Sequence, residues 1–77
     1  MTPNGAAIKS IREARGMSLR RLAVRIDRDP GFLSHVENEK QGAGLETLNR
    51  IAQELRVPLA AITREKPRDQ DEPGPLA

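Results

Sequence analysis

The stretch SLRRLAVRIDRDPGFLSHVEN, residues 18–38, predicts two short helices joined by a tight turn. Ser18 can cap the first helix, and Asp29 followed by Pro30 is a typical start for the second. Apolar residues recur at three- and four-residue spacing, which places them on one face of each helix. The inward residues are Leu19, Leu22, Ala23 and Ile26 in the first helix, and Phe32, Leu33 and Val36 in the second. The outward residues of the second helix are Gly31, Ser34, His35 and Asn38.

Further helices are predicted on both sides of this pair. One precedes it, from an N-cap at Asn4 to a stop at Gly16, with Ala7, Ile8, Ile11 and Ala14 at the spacing of one helix face. Residues 37–44, ENEKQGAG, form a polar loop with two glycines. A fourth helix follows with the inward residues Leu45, Leu48, Ile51, Ala52 and Leu55. Pro58 suits the first position of a short fifth helix, which carries Leu59 and Ile62, and no strand pattern is present.

These elements predict an all-α fold, a compact five-helix bundle containing a helix-turn-helix. A chain of 77 residues corresponds to one small domain, which we place at residues 1–65. Residues 66–77, KPRDQDEPGPLA, are acidic and rich in proline. Such a segment buries too little apolar surface to fold, so we expect a flexible, disordered tail.

Composition excludes several classes of site. The chain has no cysteine and one histidine, so disulfides, thiolate ligands and zinc sites built from several imidazoles are ruled out. We therefore expect no metal and no cofactor. With no paired carboxylates in a predicted cleft and no tyrosine, we also expect no enzymatic activity. No apolar run is long enough to span a membrane, and the N-terminus is not a secretory signal, so we expect a cytoplasmic protein.

The distribution of charge favours a polyanionic partner. Residues 1–40 hold eight Lys and Arg against five Asp and Glu, whereas residues 67–77 hold one against three. A basic surface beside a helix-turn-helix is compatible with DNA, because the second helix of that motif can enter the major groove. Phe32 is the only aromatic residue, which argues against single-stranded nucleic acid, since such sites usually stack bases on several rings.

The spacing of residue types is more specific than the two helices alone. The markers are Ile8, Ile11-Arg12, Gly16-Met17-Ser18, Leu22-Ala23, Phe32-Leu33-Ser34, Val36-Glu37-Asn38, Lys40, Leu45-Glu46-Thr47-Leu48 and Ile51-Ala52. Together they resemble the Cro/CI-type, or XRE-type, helix-turn-helix family over about residues 5–63. The resemblance implies a lambda-repressor-like bundle whose third helix, about residues 30–38, enters the major groove of DNA.

The sequence departs from the family pattern at four places. Leu19 replaces a Gln that contacts a phosphate in the lambdoid phage repressors, so that contact is lost or supplied by Arg20. Asp27 stands at the turn position usually held by Gly and tolerates a left-handed backbone better than most residues. Glu39 also replaces a usual Gly, at some cost in backbone freedom. Ala43-Gly44 replaces a usual Pro-Ser and weakens the cap of the fourth helix.

The resemblance also implies roles for individual residues. Arg12 and Glu37 occupy positions that form a salt bridge between the first and third helices in phage repressors, although Arg12 could instead contact a phosphate. Asn38 and Lys40 match positions that hold phosphates after the recognition helix. The full set of candidate DNA-contacting residues is Ser18, Arg20, Arg21, Arg28, Asp29, Gly31, Ser34, His35, Asn38 and Lys40.

The residue types allow specific contacts but leave alternatives open. Ser34 and His35 can bond to base edges, while His35 could instead be a partly buried core residue. Asp29 could accept from cytosine, although its commoner role is the helix cap. Arg28 could reach a phosphate or a guanine edge.

Three further candidates could contact the sugar-phosphate backbone. Ser18 caps a helix whose exposed N–H groups can bind a phosphate, and Arg20 and Arg21 are either phosphate contacts or solvated charges. Gly31 allows the helix backbone to approach DNA closely.

These observations predict a sequence-specific, double-stranded DNA-binding transcriptional regulator, with repression as the expected mode. We expect a homodimer on an inverted repeat, because a single small module binds weakly. Its surface would come from the last two helices, through Leu55, Val57, Leu59, Ala60 or Ile62. The alternative is an antitoxin-like or other protein-interaction module that binds a partner protein as well as DNA.

Overall fold

The structure is a computed structural model that describes residues 1–65. This part of the chain contains four α-helices, two short strands and one 3-10 helix. The α-helices are α1 (Gly5–Ala14), α2 (Leu19–Arg25), α3 (Pro30–Glu37) and α4 (Leu45–Leu55). The strands are β1 (Thr2–Pro3) and β2 (Thr63–Arg64), and the 3-10 helix is Leu59–Ile62. The predicted tail at residues 66–77 lies outside the described residues.

Side-chain caps fix the starts of the first three helices, as predicted. The side chain of Asn4 accepts from the N–H of Ala7 at 3.1 Å. Ser18 Oγ accepts from the N–H of Arg21 at 3.0 Å and begins α2. Asp29 begins α3. Helix α4 has Gly44 at its N-cap and no side-chain cap bond, in agreement with the weaker cap expected there.

The helices enclose one apolar core. Its fully or nearly fully buried members are Ile8, Leu22, Ala23, Ile26, Leu33, Val36, Leu48, Ile51, Ala52, Leu55 and Ile62. Phe32 is half-buried and packs against this core, so the lone aromatic side chain serves the core. The prediction for Leu45 is wrong, because this residue is 56% exposed and the buried face of α4 begins with Thr47 and Leu48. Burial of Leu55 and Ile62 also removes both from the expected dimer surface.

The count of five helices is not confirmed, and the expectation of no strand is wrong at the ends of the described residues. The segment after Pro58 makes one short 3-10 helix, and Pro58 precedes its first residue instead of occupying it. The chain then becomes extended, and β2 pairs with β1 in antiparallel register, Thr2 opposite Arg64 and Pro3 opposite Thr63. Strands of two residues show no alternating pattern, so only the folded chain reveals this pair.

The turn between α2 and α3 contains a left-handed residue. Asp27 has φ 58°, in agreement with the expectation that Asp replaces the usual Gly at this position. The N–H of Arg28 donates to the carbonyl of Ala23 at 2.9 Å and closes the turn. Helices α2 and α3 are thereby joined by a short, hydrogen-bonded connection, which is the helix-turn-helix arrangement.

None of the helices within residues 1–65 is long and apolar enough to cross a membrane.

Candidate DNA-binding surface

The position of α3 depends on a buried ion pair. Arg12 Nε donates to Glu37 Oε2 at 2.7 Å, and Arg12 Nη2 donates to Glu37 Oε1 at 3.1 Å. Both residues are only 7% exposed. The pKa of the Arg12 guanidinium is raised above its ordinary value by the hydrogen bond to Glu37, an effect that outweighs the opposing effect of burial. This two-pronged contact fixes the C-terminal end of α3 against α1.

The same guanidinium also reaches the start of α2. Arg12 Nη1 donates to the carbonyl of Met17 at 2.8 Å. Met17 precedes Ser18, and Glu37 precedes Asn38, so one arginine holds the N-terminal end of α2 and the C-terminal end of α3. Two groups of candidate phosphate contacts therefore flank a single buried side chain. Its full engagement inside the protein leaves little of Arg12 available for DNA.

The outward face of α3 carries the candidates for base contacts. Gly31, His35 and Asn38 are exposed and Ser34 is half-buried. The exposure of His35 removes the alternative that it belongs to the core. A side chain added at Gly31 would meet the carboxylate of Asp29, so the first turn of α3 presents mainly its backbone. The face is accessible, small in side-chain volume and polar.

Besides Arg28, three of the candidate polar side chains already have partners inside the protein. Asp29 Oδ2 accepts from the N–H of Gly31 at 2.8 Å, which is its capping role. Ser18 Oγ is the cap of α2. Asn38 Nδ2 donates to the carbonyl of Ser34 at 3.0 Å. The bond orients the Asn38 amide beside the last turn of α3 and leaves its second N–H available as a donor.

Arg28 connects the turn to α4. Its Nη2 donates to Thr47 Oγ1 at 3.1 Å, and its Nη1 donates to the carbonyl of Asp27 at 3.0 Å. Arg28 is half-buried and Thr47 is buried. Sequence reasoning missed Thr47, although a polar residue beside the inward stripe of a helix signals a buried hydrogen bond. These two bonds indicate that Arg28 fixes the turn. Only its remaining N–H groups are available for a contact with DNA.

The candidate cations differ in their surroundings. Arg20, Arg21 and Lys40 are exposed, and within residues 1–65 their side chains form no hydrogen bond or ion pair. Lys40 follows α3 closely. Arg21 instead lines a depression of about 400 Å³, together with Arg15, Met17, Arg25, Gln53, Glu54 and Arg56. No residue of α3 lines that depression.

Much of the positive charge in this depression belongs to helix ends. Arg15 follows the last residue of α1, Arg25 ends α2, and Arg56 follows the last residue of α4. Cations at these positions offset the partial negative charge of unpaired helix carbonyls. Arg25 Nε also pairs with Glu54 Oε1 at 2.8 Å.

The described residues contain no group of three or more acidic, histidine or cysteine side chains that could hold a metal.

Comparison with known proteins identifies the family. A helix-turn-helix family model matches residues 8–62. The clp gene regulator ClgR from Corynebacterium glutamicum is 34% identical, with a TM-score of 0.71 over 73% of this chain and 60% of that one. The chain therefore spans less than two thirds of ClgR. No curated protein sequence matches significantly.

Two similar structures contain DNA. The master regulator for biofilm formation SinR, solved in complex with DNA, is 28% identical with a TM-score of 0.69, over 73% of this chain and 90% of that one. SinR has also been solved with SinI. PlcR from Bacillus thuringiensis, solved with the peptide PapR7 and DNA, is 28% identical with a TM-score of 0.68, over 73% of this chain and 20% of that one. With its fold and the family match over residues 8–62, the chain belongs to the XRE-type helix-turn-helix family.

Proposed function

We propose that this protein is a sequence-specific, double-stranded DNA-binding regulator of transcription that works in the cytoplasm. The observation that carries the proposal is the exposed polar face of α3, held in place by the buried pair of Arg12 and Glu37. A rigid helix with accessible donors and acceptors can enter a major groove without rearrangement. The DNA complexes of SinR and PlcR support the same role for this chain.

Base contacts would come mainly from Ser34 and His35. The hydroxyl of Ser34 donates or accepts, and the imidazole of His35 donates to N7 or O6 of guanine. Gly31 lets the start of α3 approach the edges of the bases closely. Asp29 and Arg28 flank this start. Asp29 would contact DNA only with atoms not used in capping α3, and Arg28 only with N–H groups not bonded to Thr47. The small number of side chains implies modest direct specificity, supplemented by DNA shape.

Phosphate contacts would flank the recognition helix. The free N–H groups at the start of α2, beside Ser18, form one contact, and Asn38 with Lys40 forms the other. Arg20 lies in the first turn of α2 and adds charge at the same helix end. Arg21 is exposed and adds positive charge that attracts DNA.

Repression by a homodimer on an inverted repeat is the regulatory mode that we propose. A dimer doubles the few base contacts of one α3, and bound at a promoter it would exclude other proteins. The surface left for the dimer comprises Val57, Leu59 and Ala60, since Leu55 and Ile62 are buried in the core. Two of these three residues remain half-buried in the monomer.

A second candidate function is binding of a protein partner. SinR is solved with SinI and PlcR with PapR7, so similar proteins bind a polypeptide as well as DNA. The acidic segment 66–77, which we propose as a tail outside the domain of residues 1–65, would suit such a role. A search for co-purifying proteins with the full chain and with a chain ending at residue 65 separates this function from DNA binding alone.

Fluorescence polarisation tests the principal proposal. A labelled duplex of mixed sequence and its single strand are titrated with the protein at several salt concentrations. We expect binding to the duplex, weaker binding to the single strand, and affinity that falls steeply as salt rises. Equal affinity for the two forms, or no binding to the duplex at low salt, would contradict the proposal.

A further inference from the structure

Glu39 lies between two candidate phosphate contacts and has an unfavourable backbone conformation. It follows Asn38 and precedes Lys40, and its φ is 60°. L-residues other than Gly, Asn and Asp rarely adopt this left-handed conformation, and the family usually has Gly at this position. A strained residue persists where surrounding contacts determine its conformation. Backbone bonds that end α3 account for this conformation, since the N–H of Glu39 donates to the carbonyl of Val36 at 3.1 Å and the N–H of Lys40 to that of His35 at 2.8 Å. The side chain of Glu39 adds contacts with the rest of the domain.

The carboxylate of Glu39 bonds to the beginning of α1. Its Oε2 accepts from the N–H of Gly5 at 3.0 Å. Gly5 is the first residue of α1, and the N–H groups in the first turn of a helix have no carbonyl partner within the helix. Helix α1 has no acidic residue in its own first turn, so Glu39 supplies the negative charge that a helix N-terminus favours. A residue 34 positions away thus completes the cap that Asn4 begins.

The same oxygen pairs with the last strand. Arg64 Nη2 lies 3.0 Å from Glu39 Oε2 and 3.4 Å from Asn4 Oδ1. Arg64 is opposite Thr2 in the β1–β2 pair. The N–H of Asn4 donates to the carbonyl of Ile62 at 2.8 Å and ties the same two segments together. Glu39 therefore joins the chain after α3 to both ends of the described domain.

Close packing reinforces this junction. A side chain at Gly5 would overlap the main chain of Val36 and Glu37, so the start of α1 contacts the end of α3 backbone to backbone. Along the chain, Glu37 of the buried pair with Arg12 precedes Asn38, and Glu39 of the pair with Arg64 follows it. The two ion pairs bracket the point where α3 ends and the chain turns toward Lys40.

We propose that Glu39 is a positioning residue for DNA binding. By holding the chain after α3 against Gly5 and Arg64, it sets the positions of Asn38 and Lys40 relative to the recognition helix. This inference rests on the proposed function. The charge of Glu39 repels phosphates, so its removal would strengthen binding to DNA if electrostatics alone mattered. If Glu39 positions the loop, its removal would instead weaken binding, because ordering a loop on binding lowers affinity.

The substitution Glu39→Gly separates these two effects. Glycine relieves the left-handed strain while the contacts with Gly5 and Arg64 are lost, so we expect the urea unfolding midpoint to change little. We expect affinity for the duplex to fall by about 3- to 30-fold, at an unchanged slope of affinity against salt. Unchanged or higher affinity in a folded Glu39→Gly variant would overturn the inference.

Further variants keep the test decisive. Glu39→Gln and Arg64→Met each remove the ion pair without adding a glycine, and we expect both to weaken duplex binding. In the double variant Glu39→Gln/Arg64→Met the loss should be smaller than the sum of the two single losses, because both single variants break the Glu39–Arg64 pair. Glu54→Gln is the matched control, since Glu54 pairs with Arg25 away from α3, and its affinity should equal that of the unaltered protein. Fully additive losses in the double variant would overturn the coupling.

The outcomes distinguish the two proposals. If the unaltered protein fails to bind duplex DNA at low salt, the proposed function fails and this inference fails with it. If the unaltered protein binds and Glu39→Gly, Glu39→Gln and Arg64→Met bind equally well, only the role of Glu39 is overturned.

Discussion

Among single residues, Arg12 of α1 contacts both the start of α2 and the end of α3. Its guanidinium bonds to Glu37 at the end of α3 and to the carbonyl of Met17 before α2. Both ends of the helix-turn-helix therefore share one buried cation. The side chains of His35 and Lys40, which would touch DNA, are by contrast exposed. Residue substitutions should accordingly divide into those that lower stability and those that lower affinity.

We expect Arg12→Met to reduce the free energy of unfolding by about 3–5 kcal/mol, because it leaves the Glu37 carboxylate buried without a partner. Urea unfolding followed by circular dichroism measures this change. The double variant Arg12→Met/Glu37→Leu should be more stable than Arg12→Met, since it removes both charges. A cost of less than about 1 kcal/mol for Arg12→Met would mean that the pair is not buried in solution.

The pH dependence of this pair follows from the raised pKa of Arg12. Stability due to a raised pKa is fully present below the pKa of the unfolded chain and is lost only as pH rises through the folded value. Both values lie far above neutral pH for an arginine. Arg12 therefore stays protonated in both the folded and the unfolded chain from neutral to moderately alkaline pH. Its contribution to the unfolding midpoint should be constant over this range. The assignment would be contradicted if the urea unfolding midpoint fell as pH rose in this range and if Arg12→Met abolished that fall.

Lys40 and His35 are expected to affect different properties of binding. Lys40→Ala should weaken binding about equally for all duplexes and reduce the salt slope by about 1, because it removes one phosphate contact. His35→Ala should instead change the preferred sequence. Lys9→Ala, an exposed lysine of α1, is the control for a general loss of charge. If His35→Ala left specificity unchanged, its assignment to base contact would be wrong.

At the scale of elements, the α2–α3 turn is the clearest success of sequence reasoning. The cap at Asp29, the proline after it and the left-handed Asp27 follow from local chemistry, and each agrees with the structure. The strand pair and the bonds of Glu39 could not be predicted. They join residues up to 62 positions apart through segments too short to show a pattern. Local signals therefore give the helices, whereas the contacts that orient the loop after α3 are tertiary.

The turn also gives a prediction about stability. Asp27→Gly should raise the free energy of unfolding by about 0.5–1 kcal/mol, because glycine adopts the left-handed conformation without strain. Asp27→Ala, the matched control, should lower it, since alanine has neither the freedom of glycine nor the polar side chain of Asp. Urea midpoints of the three proteins decide the order. If Asp27→Gly were less stable than Asp27→Ala, the conformation assigned to the turn would be wrong.

At the scale of the whole molecule, one copy of α3 offers few base contacts. Ser34 and His35 are the only outward residues in its middle, and the start of the helix is occupied by Pro30 and Gly31. A second copy on a symmetric site is the simplest way to increase both affinity and specificity.

Sedimentation of the protein with a duplex that it prefers should show two chains for each duplex. Ala60→Glu places a charge in the proposed contact surface without altering the core, and it should reduce the complex to one chain. The exposed substitution Gln53→Glu is a control for the added charge alone. One chain for each duplex at saturation, with the unaltered protein, would exclude the dimer.

Selection of bound duplexes from a random pool is the most direct measurement of the central claim, that α3 reads double-stranded DNA. We expect enrichment of a short sequence repeated in inverted orientation, with half-site centres about 10 base pairs apart. The same selection with His35→Ala should yield a different preference at one position in each half-site. A pool that remains random after repeated selection, or one whose enriched sequence is identical for the two proteins, would contradict the account.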